Sequence, residues 1–257
     1  MEAALAHPIF DTVRPWLERL GKERSLRRLN VLAEEADVRT ASGRPVRFVP
    51  PSPADAYYEV HLYRTGQVQT RPESLHDLFN ALAWLAFPRT KARINALHAE
   101  DIPREGTRRG RRRDLLTLLD EGGAIVQCDD VELIELALGF RWKELFWTQR
   151  ERTRHAMRVR VLGHATLEQA LKPWPGIACK VLFVGRTATA DAAAHAWLAG
   201  LPSDATPRML APLPVFGYPG WLADSEHPGF YDDRRYFRER QDTAAPAPPA
   251  LPQGAAR

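Results

Sequence analysis

Apolar residues recur at helical spacing over most of the chain, and short apolar runs suited to strands are few. Segment 26–36 places its leucines at helical intervals after Ser25, a residue type that often caps the start of a helix. Ser74 precedes a second such segment, which runs to Phe87 and ends there because Pro88 disrupts a helix interior. Helices therefore dominate the predicted secondary structure.

Strand-like segments are shorter and unevenly spaced. Residues 179–184 form an apolar run typical of a buried strand, and a short strand is predicted at 124–127 after two glycines. Residues 58–68 are predicted to form a hairpin. This pattern favours an α+β fold, predominantly helical, with a small sheet or hairpin. Further helices are predicted from Pro88 to about His98 and at 110–121, 131–138, 142–155, 165–171 and 190–198.

Composition indicates one globular domain with a tail. The 257 residues are 44% apolar and 26% charged, which excludes wholesale disorder. We expect a single domain over residues 1–240 and a disordered Pro/Ala-rich tail over 241–257, since the tail holds four prolines and little that buries. No apolar run approaches the roughly 20 residues that cross a bilayer. Two distant cysteines indicate free thiols, and we expect a cytoplasmic protein without membrane partners.

The predicted helix over 110–121 carries its charges in the unfavourable order. Arginines lie at its start and acids at its end, whereas the helix dipole favours acids first and bases last. Unfavourable charge at a helix end is tolerated when that end faces a partner of opposite charge. We therefore expect an anion at the start of this helix and a cation, a base or a protonated group at its end. The alternative is a structural salt bridge between the acids and arginines elsewhere. The residues are Arg111, Arg112, Arg113, Asp120 and Glu121.

A second polar group lies at the start of the helix that follows Ser74. His76, Asp77 and Asn80 share one face of that helix because they are spaced i, i+1 and i+4. Imidazole titrates near neutral pH and a carboxylate can orient it, so the pair suits a general base and acid or metal ligands. His164 is a second candidate. The alternative is that both histidines are structural and bond to neighbouring groups.

Four motifs follow one another along the chain. They are the segment 76–91 (HDLFNALAWLAFPRTK), then Arg113-Asp114 with Thr117 and Asp120-Glu121, then Gly163-His164-Ala165, and Phe230–Asp233 ahead of Phe237-Arg238. Together they resemble the proteobacterial family designated domain of unknown function 3025, over about residues 8 to 240. Leu162 and Tyr236 depart from the family pattern. The resemblance implies a bacterial, cytosolic protein and transfers no catalytic residue, because the family has no assigned activity.

These candidates favour an enzyme or a ligand-binding protein with an anionic substrate. Arg111, Arg112 and Arg113 are predicted to bind the anion. In a hydrolytic enzyme, a histidine is the base and an acid of 120–121 orients it or binds a metal. A divalent metal suits these residue types, although no ligand spacing identifies it. The predicted site residues are His76, Asp77, Asn80, Asp120, Glu121 and His164.

Two arginine-rich segments support an alternative function. Residues 104–113 hold six arginines against one glutamate, and residues 141–160 hold seven basic side chains against two glutamates. Such patches attract nucleic acid, which makes a nucleic-acid- or ribosome-associated binding module the alternative, although neither segment carries a known binding motif. A third hypothesis is an adaptor that contacts its partner around Trp221. The sequence leaves open the reaction, the substrate and the oligomeric state.

Overall fold

Helices make up most of the described chain, which covers residues 2–52, 57–105 and 109–239 of this computed structural model. The predicted fold, α+β and predominantly helical with a small sheet, is confirmed. The α-helices are α1 (Glu2–Leu5), α2 (Arg14–Leu20), α3 (Leu26–Glu35), α4 (Tyr58–Thr65), α5 (Leu75–Ala86), α6 (Pro88–Glu105), α7 (Arg111–Gly122), α8 (Val131–Leu138), α9 (Arg150–Ala156), α10 (His164–Gln169) and α11 (Ala190–Ala199).

Six strands and several tighter helical segments complete the described elements. Short 3₁₀ helices lie at Pro8–Phe10, Pro207–Met209, Val215–Gly217, Ala223–Glu226 and Pro228–Asp232, and a π-helical segment at Glu144–Thr148. The strands are β1 (Arg47–Val49), β2 (Gln67–Gln69), β3 (Gly123–Gln127), β4 (Arg158–Val161), β5 (Cys179–Val184) and β6 (Ala211–Leu213).

The larger sheet has the strand order β4-β3-β5-β6 and mixes both orientations. Strand β3 runs antiparallel to β4 and parallel to β5, and β5 runs antiparallel to β6. Every residue of β3 is buried, as expected for an inner strand covered on both faces. Ile125 points into an apolar cluster with Leu116 and Leu119 of α7, and its neighbour Val126 belongs to the cluster that contains Phe146.

The hairpin predicted over residues 58–68 is wrong. The chain there forms helix α4, and β2 then pairs in parallel with β1, with Phe48 opposite Val68. Gly66 adopts φ 79° and ends the helix, and its N–H donates to the Leu62 carbonyl. A glycine in the left-handed conformation is typical both of helix ends and of tight turns. The same sequence pattern therefore predicts either structure.

The predicted helix starts are confirmed in detail. The Ser25 side chain accepts a hydrogen bond from the Arg28 N–H, and Ser74 accepts one from the Asp77 N–H. Helix α6 extends beyond the predicted end at His98, and the helix predicted over 142–155 is interrupted by the π-helical segment. Serine caps therefore locate helix starts more reliably here than periodicity locates their ends.

Strand pairing places the ends of two helices side by side. Helix α7 leads directly into β3, and α10 begins directly after β4. Because β3 and β4 are antiparallel, with Ala124 opposite Val161, the end of α7 lies beside the start of α10. The Gly123 carbonyl accepts hydrogen bonds from the backbone N–H groups of Leu162 and Gly163, at 3.0 and 2.8 Å. Helix α5 packs against α10 at the same place.

Two other expectations concern the ends of the chain and the membrane. The tail predicted at 241–257 lies outside the described residues, as does residue 240, so the domain boundary stays a prediction. Across the described ranges, none of the helices combines the length and the apolar character that crossing a bilayer requires.

Helix α7 provides a test of the packing. Leu119 is 0% exposed between α7 and β3, whereas the adjacent Leu118 is 38% exposed. We expect Leu119→Ala to lower the free energy of unfolding by about 2–5 kcal/mol, because it leaves a cavity in a well-packed core. The matched Leu118→Ala variant is expected to cost less than about 1 kcal/mol. Urea denaturation of both variants measures the difference, and equal losses would contradict this packing.

Candidate metal centre

A polar cavity of about 310 Å³ lies where α4, α5, α6, α7 and α10 meet. Its volume is in the range of small-molecule sites. The structure brings all six predicted site residues to its wall, although they come from three helices and span nearly ninety positions. They are His76, Asp77, Asn80, Asp120, Glu121 and His164.

Two histidines and a glutamate form a compact cluster at one side of this cavity. His76 Nε2 lies 3.1 Å from His164 Nε2, and His164 Nε2 lies 3.3 Å from Glu121 Oε2. His76 Nε2 and the same Glu121 oxygen are 3.8 Å apart. The two imidazole rings meet edge to face, with an interplanar angle of 73°. One donor atom from each of three helices therefore faces a common point.

The dimensions of this triangle fit a small metal ion. The three distances place the point equidistant from the donor atoms about 2.0 Å from each of them, which equals ordinary zinc–nitrogen and zinc–oxygen bond lengths. Three protein ligands leave at least one coordination position for water or substrate. Of the His, Cys, Asp and Glu side chains in the described ranges, only this trio has its ligand atoms gathered closely enough for an ion.

Glu168 supports the cluster from behind. Its Oε2 lies 3.1 Å from His76 Nδ1, the ring nitrogen that faces away from the triangle. Metal-binding histidines almost always use their second nitrogen to contact a carboxylate, a carbonyl or water, which orients the ring. Glu168 belongs to α10, the helix that also supplies His164. One short helix thus provides a direct donor and the group that orients the other histidine.

Burial shapes the electrostatics of the cluster. His164 is buried, and desolvation lowers its pKa to about 4, although the charge of Asp120 opposes this shift. Its imidazole is therefore neutral at physiological pH. Burial also raises the pKa of Glu121, and the neighbouring Asp120 carboxylate adds to the effect. The surroundings of the cluster thus disfavour charge on both side chains, and a bound cation would reverse this effect for Glu121.

Lys91 is the cation expected at the acidic end of α7. Its Nζ lies 2.5 Å from Asp120 Oδ1 and 2.8 Å from Asn80 Oδ1, and it is nearly fully buried. The ammonium also lies 5.6 Å from the centre of the Trp84 ring. Burial opposes ionisation of Asp120, but Lys91 brings the pKa of that carboxyl below its ordinary value. The partner of Asp120 is therefore a lysine rather than an arginine.

Asp77 is engaged by Arg71 instead of by His76. The guanidinium Nε and Nη2 of Arg71 lie 2.8 and 2.9 Å from the two carboxylate oxygens, and the Arg71 backbone N–H donates as well. These bonds lower the pKa of Asp77 to about 2. Asp77 lines the cavity as half of an ion pair that closes the loop before α5.

The three arginines at the start of α7 lie away from the cavity wall. Helix α7 has 12 residues, so its two ends are separated by about 18 Å. Arg112 is buried against Asp101, with its Nε 2.7 Å from the carboxylate, and Arg113 Nη1 lies 3.4 Å from Glu105. Arg111 is exposed. Anion binding by these arginines stays a prediction and is separate from the candidate metal centre.

Most basic side chains that the structure describes in the two arginine-rich segments contact acids. In the second segment, Arg152 contacts Asp130 and Glu132, and Arg150 contacts Glu226. Such pairing reduces the positive field available to nucleic acid, and binding to nucleic acid stays a prediction. Trp221, the contact residue of the adaptor hypothesis, is only 8% exposed and packs against aromatic neighbours, which disfavours that hypothesis.

Comparison with known proteins decides the family. A family model described as "Protein of unknown function (DUF3025)" matches residues 46–241, about three quarters of the chain. The chain belongs to the DUF3025 family. Residues 8 to 45, which the sequence resemblance also included, lie outside the matched range. No curated protein and no solved structure matches the chain.

Three side chains at the candidate site of this DUF3025 protein were not predicted from the sequence, namely Glu59, Lys91 and Glu168. Lys91 was part of the quoted motif, but nothing in the sequence linked it to Asp120. Glu168 stands four residues after His164 on α10, and such i, i+4 spacing is the signal that had suggested a shared face at His76 and Asn80. Glu59 lies in the segment that was predicted to be a hairpin.

Gly163 allows the close approach that assembles the site. A Cβ atom at this position would lie 2.6 Å from the Glu121 carbonyl oxygen and 2.6 Å from the Gly123 nitrogen. Because both are backbone atoms, no side-chain rotation relieves the contact. We expect Gly163→Ala to cost about 1–3 kcal/mol of unfolding free energy, since the backbones of α7 and α10 must separate.

Gly229→Ala provides the control for this prediction, because a Cβ atom there meets no atom within 4 Å. Its free energy of unfolding is expected to stay within about 0.5 kcal/mol of the wild type. Urea denaturation of the two variants is the measurement. An unchanged stability for Gly163→Ala would show that the two helix ends are not held together as described.

Proposed function

We propose that this DUF3025 protein is a zinc-dependent hydrolase. The observation that carries the proposal is the triangle of His76 Nε2, His164 Nε2 and Glu121 Oε2, whose edges of 3.1, 3.3 and 3.8 Å match the size of a zinc site. Two histidines and one glutamate are a recurrent ligand set of zinc hydrolases. The ligands line a cavity that a small substrate can enter.

Hydrolysis is the reaction that this arrangement serves best. A zinc ion lowers the pKa of a bound water to about 7 and polarises a carbonyl or phosphoryl oxygen. In hydrolysis the water oxygen would bond to the electrophilic carbon or phosphorus as the bond to the leaving group breaks. One proton of the water would pass to the leaving group, and the other would stay on the product acid or be released to solvent. Water is the only co-reactant, and the cavity is polar and open.

The proposal assigns different tasks to the other predicted residues. Asp120 and Asn80 hold the Lys91 ammonium, and this buried network fixes the last turn of α7, which presents Glu121. The ion pair between Asp77 and Arg71 fixes the loop that leads into α5, the helix that carries His76. The substrate meets the cavity rather than the start of α7, because Arg112 and Arg113 are engaged with acids there.

Metal analysis tests the proposal directly. We expect the purified protein, loaded with zinc and freed of excess metal, to retain one zinc ion per chain. His76→Ala, His164→Ala and Glu121→Gln each remove one of three ligands and are expected to abolish stoichiometric retention. Elemental analysis of each protein is the measurement. A panel of esters, amides and phosphoesters then tests for hydrolysis that chelation removes and zinc restores.

His155→Ala is the matched control for the metal analysis. This histidine is exposed and lies outside the cavity, and its ring hydrogen-bonds to the Glu151 carbonyl of its own helix. The variant is expected to retain zinc as the wild type does. Unchanged zinc content in the three ligand variants would overturn the proposal. Selective retention of iron would also overturn it, because two histidines and a carboxylate are shared with iron oxygenases.

Glu168 offers a second, graded test. Glu168→Gln removes the charge that faces His76 Nδ1 but keeps the size of the side chain. We expect the zinc dissociation constant to rise about 10- to 100-fold, the usual effect of losing a carboxylate behind a histidine ligand. Competition with a chromophoric chelator measures it. A dissociation constant equal to that of the wild type would show that Glu168 does not orient His76.

A further inference from the structure

The cavity contains more carboxylates than its cations compensate. Four acids line it, Glu59, Asp77, Asp120 and Glu121, together with two cations. Arg71 pairs with Asp77 at 2.8 Å, and Lys91 pairs with Asp120 at 2.5 Å. Glu121 faces the two histidines. Within the described ranges, Glu59 and Glu121 are therefore the cavity carboxylates with no Lys or Arg partner, and Glu59 is the one of these two that lies outside the proposed zinc site.

Glu59 is held in place at the wall. Asn95 Nδ2 donates to Glu59 Oε2 at 2.6 Å and also to the Glu59 backbone carbonyl at 2.9 Å. Asn95 is itself buried, so these two bonds fix the carboxyl relative to α6. Burial raises the pKa of Glu59, and Asn95 and Lys91 only partly offset the shift. A positive group beside this carboxyl would therefore give it the cationic contact that no described side chain supplies.

The residues around Glu59 indicate the chemistry of the rest of a ligand that would bind there. Leu62, one turn further along α4, and Ile94, next to Asn95 on α6, also line the cavity, as does Trp84. Three apolar side chains thus line the same cavity as Glu59 and can contact a short hydrocarbon segment. The zinc ligands come from α5, α7 and α10, whereas Glu59 and Asn95 come from α4 and α6. One occupant can therefore meet the ion through one group and Glu59 through another.

We propose that the substrate carries a primary ammonium group that binds Glu59, separated by a short hydrocarbon segment from the acyl or phosphoryl group that meets the metal. This inference rests on the zinc site proposed above and adds the substrate class. An ammonium has three donors and no acceptor, which matches a lone carboxylate.

Matched metal-binding probes test the inference on the zinc-loaded full chain. Alkyl hydroxamates and their ω-amino counterparts of equal length share the zinc-binding head and differ only in the terminal ammonium. For at least one length in a short series, the amino probe is expected to bind roughly tenfold tighter or better than the alkyl probe. In Glu59→Gln, which removes the charge and keeps the shape, the preference is expected to fall below about threefold. Isothermal titration calorimetry measures both.

A control variant separates this effect from general charge. Glu34→Gln removes an exposed acid of α3 outside the cavity and is expected to keep the wild-type preference for the amino probe. Equal affinities of both probes for the wild type, at every length, would overturn the ammonium site and leave the zinc site standing. Failure of both probes to bind, with no zinc retained, would overturn the two proposals together. Should Glu59→Gln fail to fold, the wild-type comparison alone decides.

Discussion

The antiparallel pairing of β3 with β4 is the constraint on which the candidate site depends. It sets the end of α7 beside the start of α10, so residues 121 and 164 meet across a backbone contact. Gly163 permits that contact because a side chain there would enter the α7 backbone. Only then does α5, which packs against α10, bring the third ligand within reach. The side chains of the site therefore come together only because the strand register sets the positions of their helices.

A buried ion pair explains how α7 tolerates its charge order. Acids at the end of a helix oppose its dipole, and burial makes an unpaired carboxylate costlier still. Lys91 meets Asp120 inside the wall, and Asn80 accepts a further hydrogen bond from the same ammonium. At the other end of α7, Arg112 pairs with Asp101. The unusual charge order of the sequence thus reflects partners supplied by α6, the helix that packs along α7.

The sequence contained the members of the site but not their geometry. Serine caps, helical spacing and the reversed charges of α7 identified six residues that share one cavity wall. What local patterns cannot encode is the strand register that brings positions 121 and 164 together, because it arises from sheet pairing between distant strands, or the packing of α5 on α10 that adds position 76. The same limit explains the error at 58–68, where a glycine that ends a helix was interpreted as a hairpin turn, which hid Glu59. The contacts of Lys91 with Asp120 and of Glu168 with His76 are tertiary, so local sequence patterns do not reveal them.

The contact between Glu168 and His76 has a consequence for how an ion would bind in the proposed zinc centre. A carboxylate only accepts hydrogen bonds, so His76 Nδ1 donates to Glu168, and Nε2 is the ring nitrogen that faces the triangle. An ion bound there would need little reorientation of that ring, because its orientation is already set in the folded protein. Such preorganisation would strengthen binding of the ion, since less conformational freedom is lost when the ion binds.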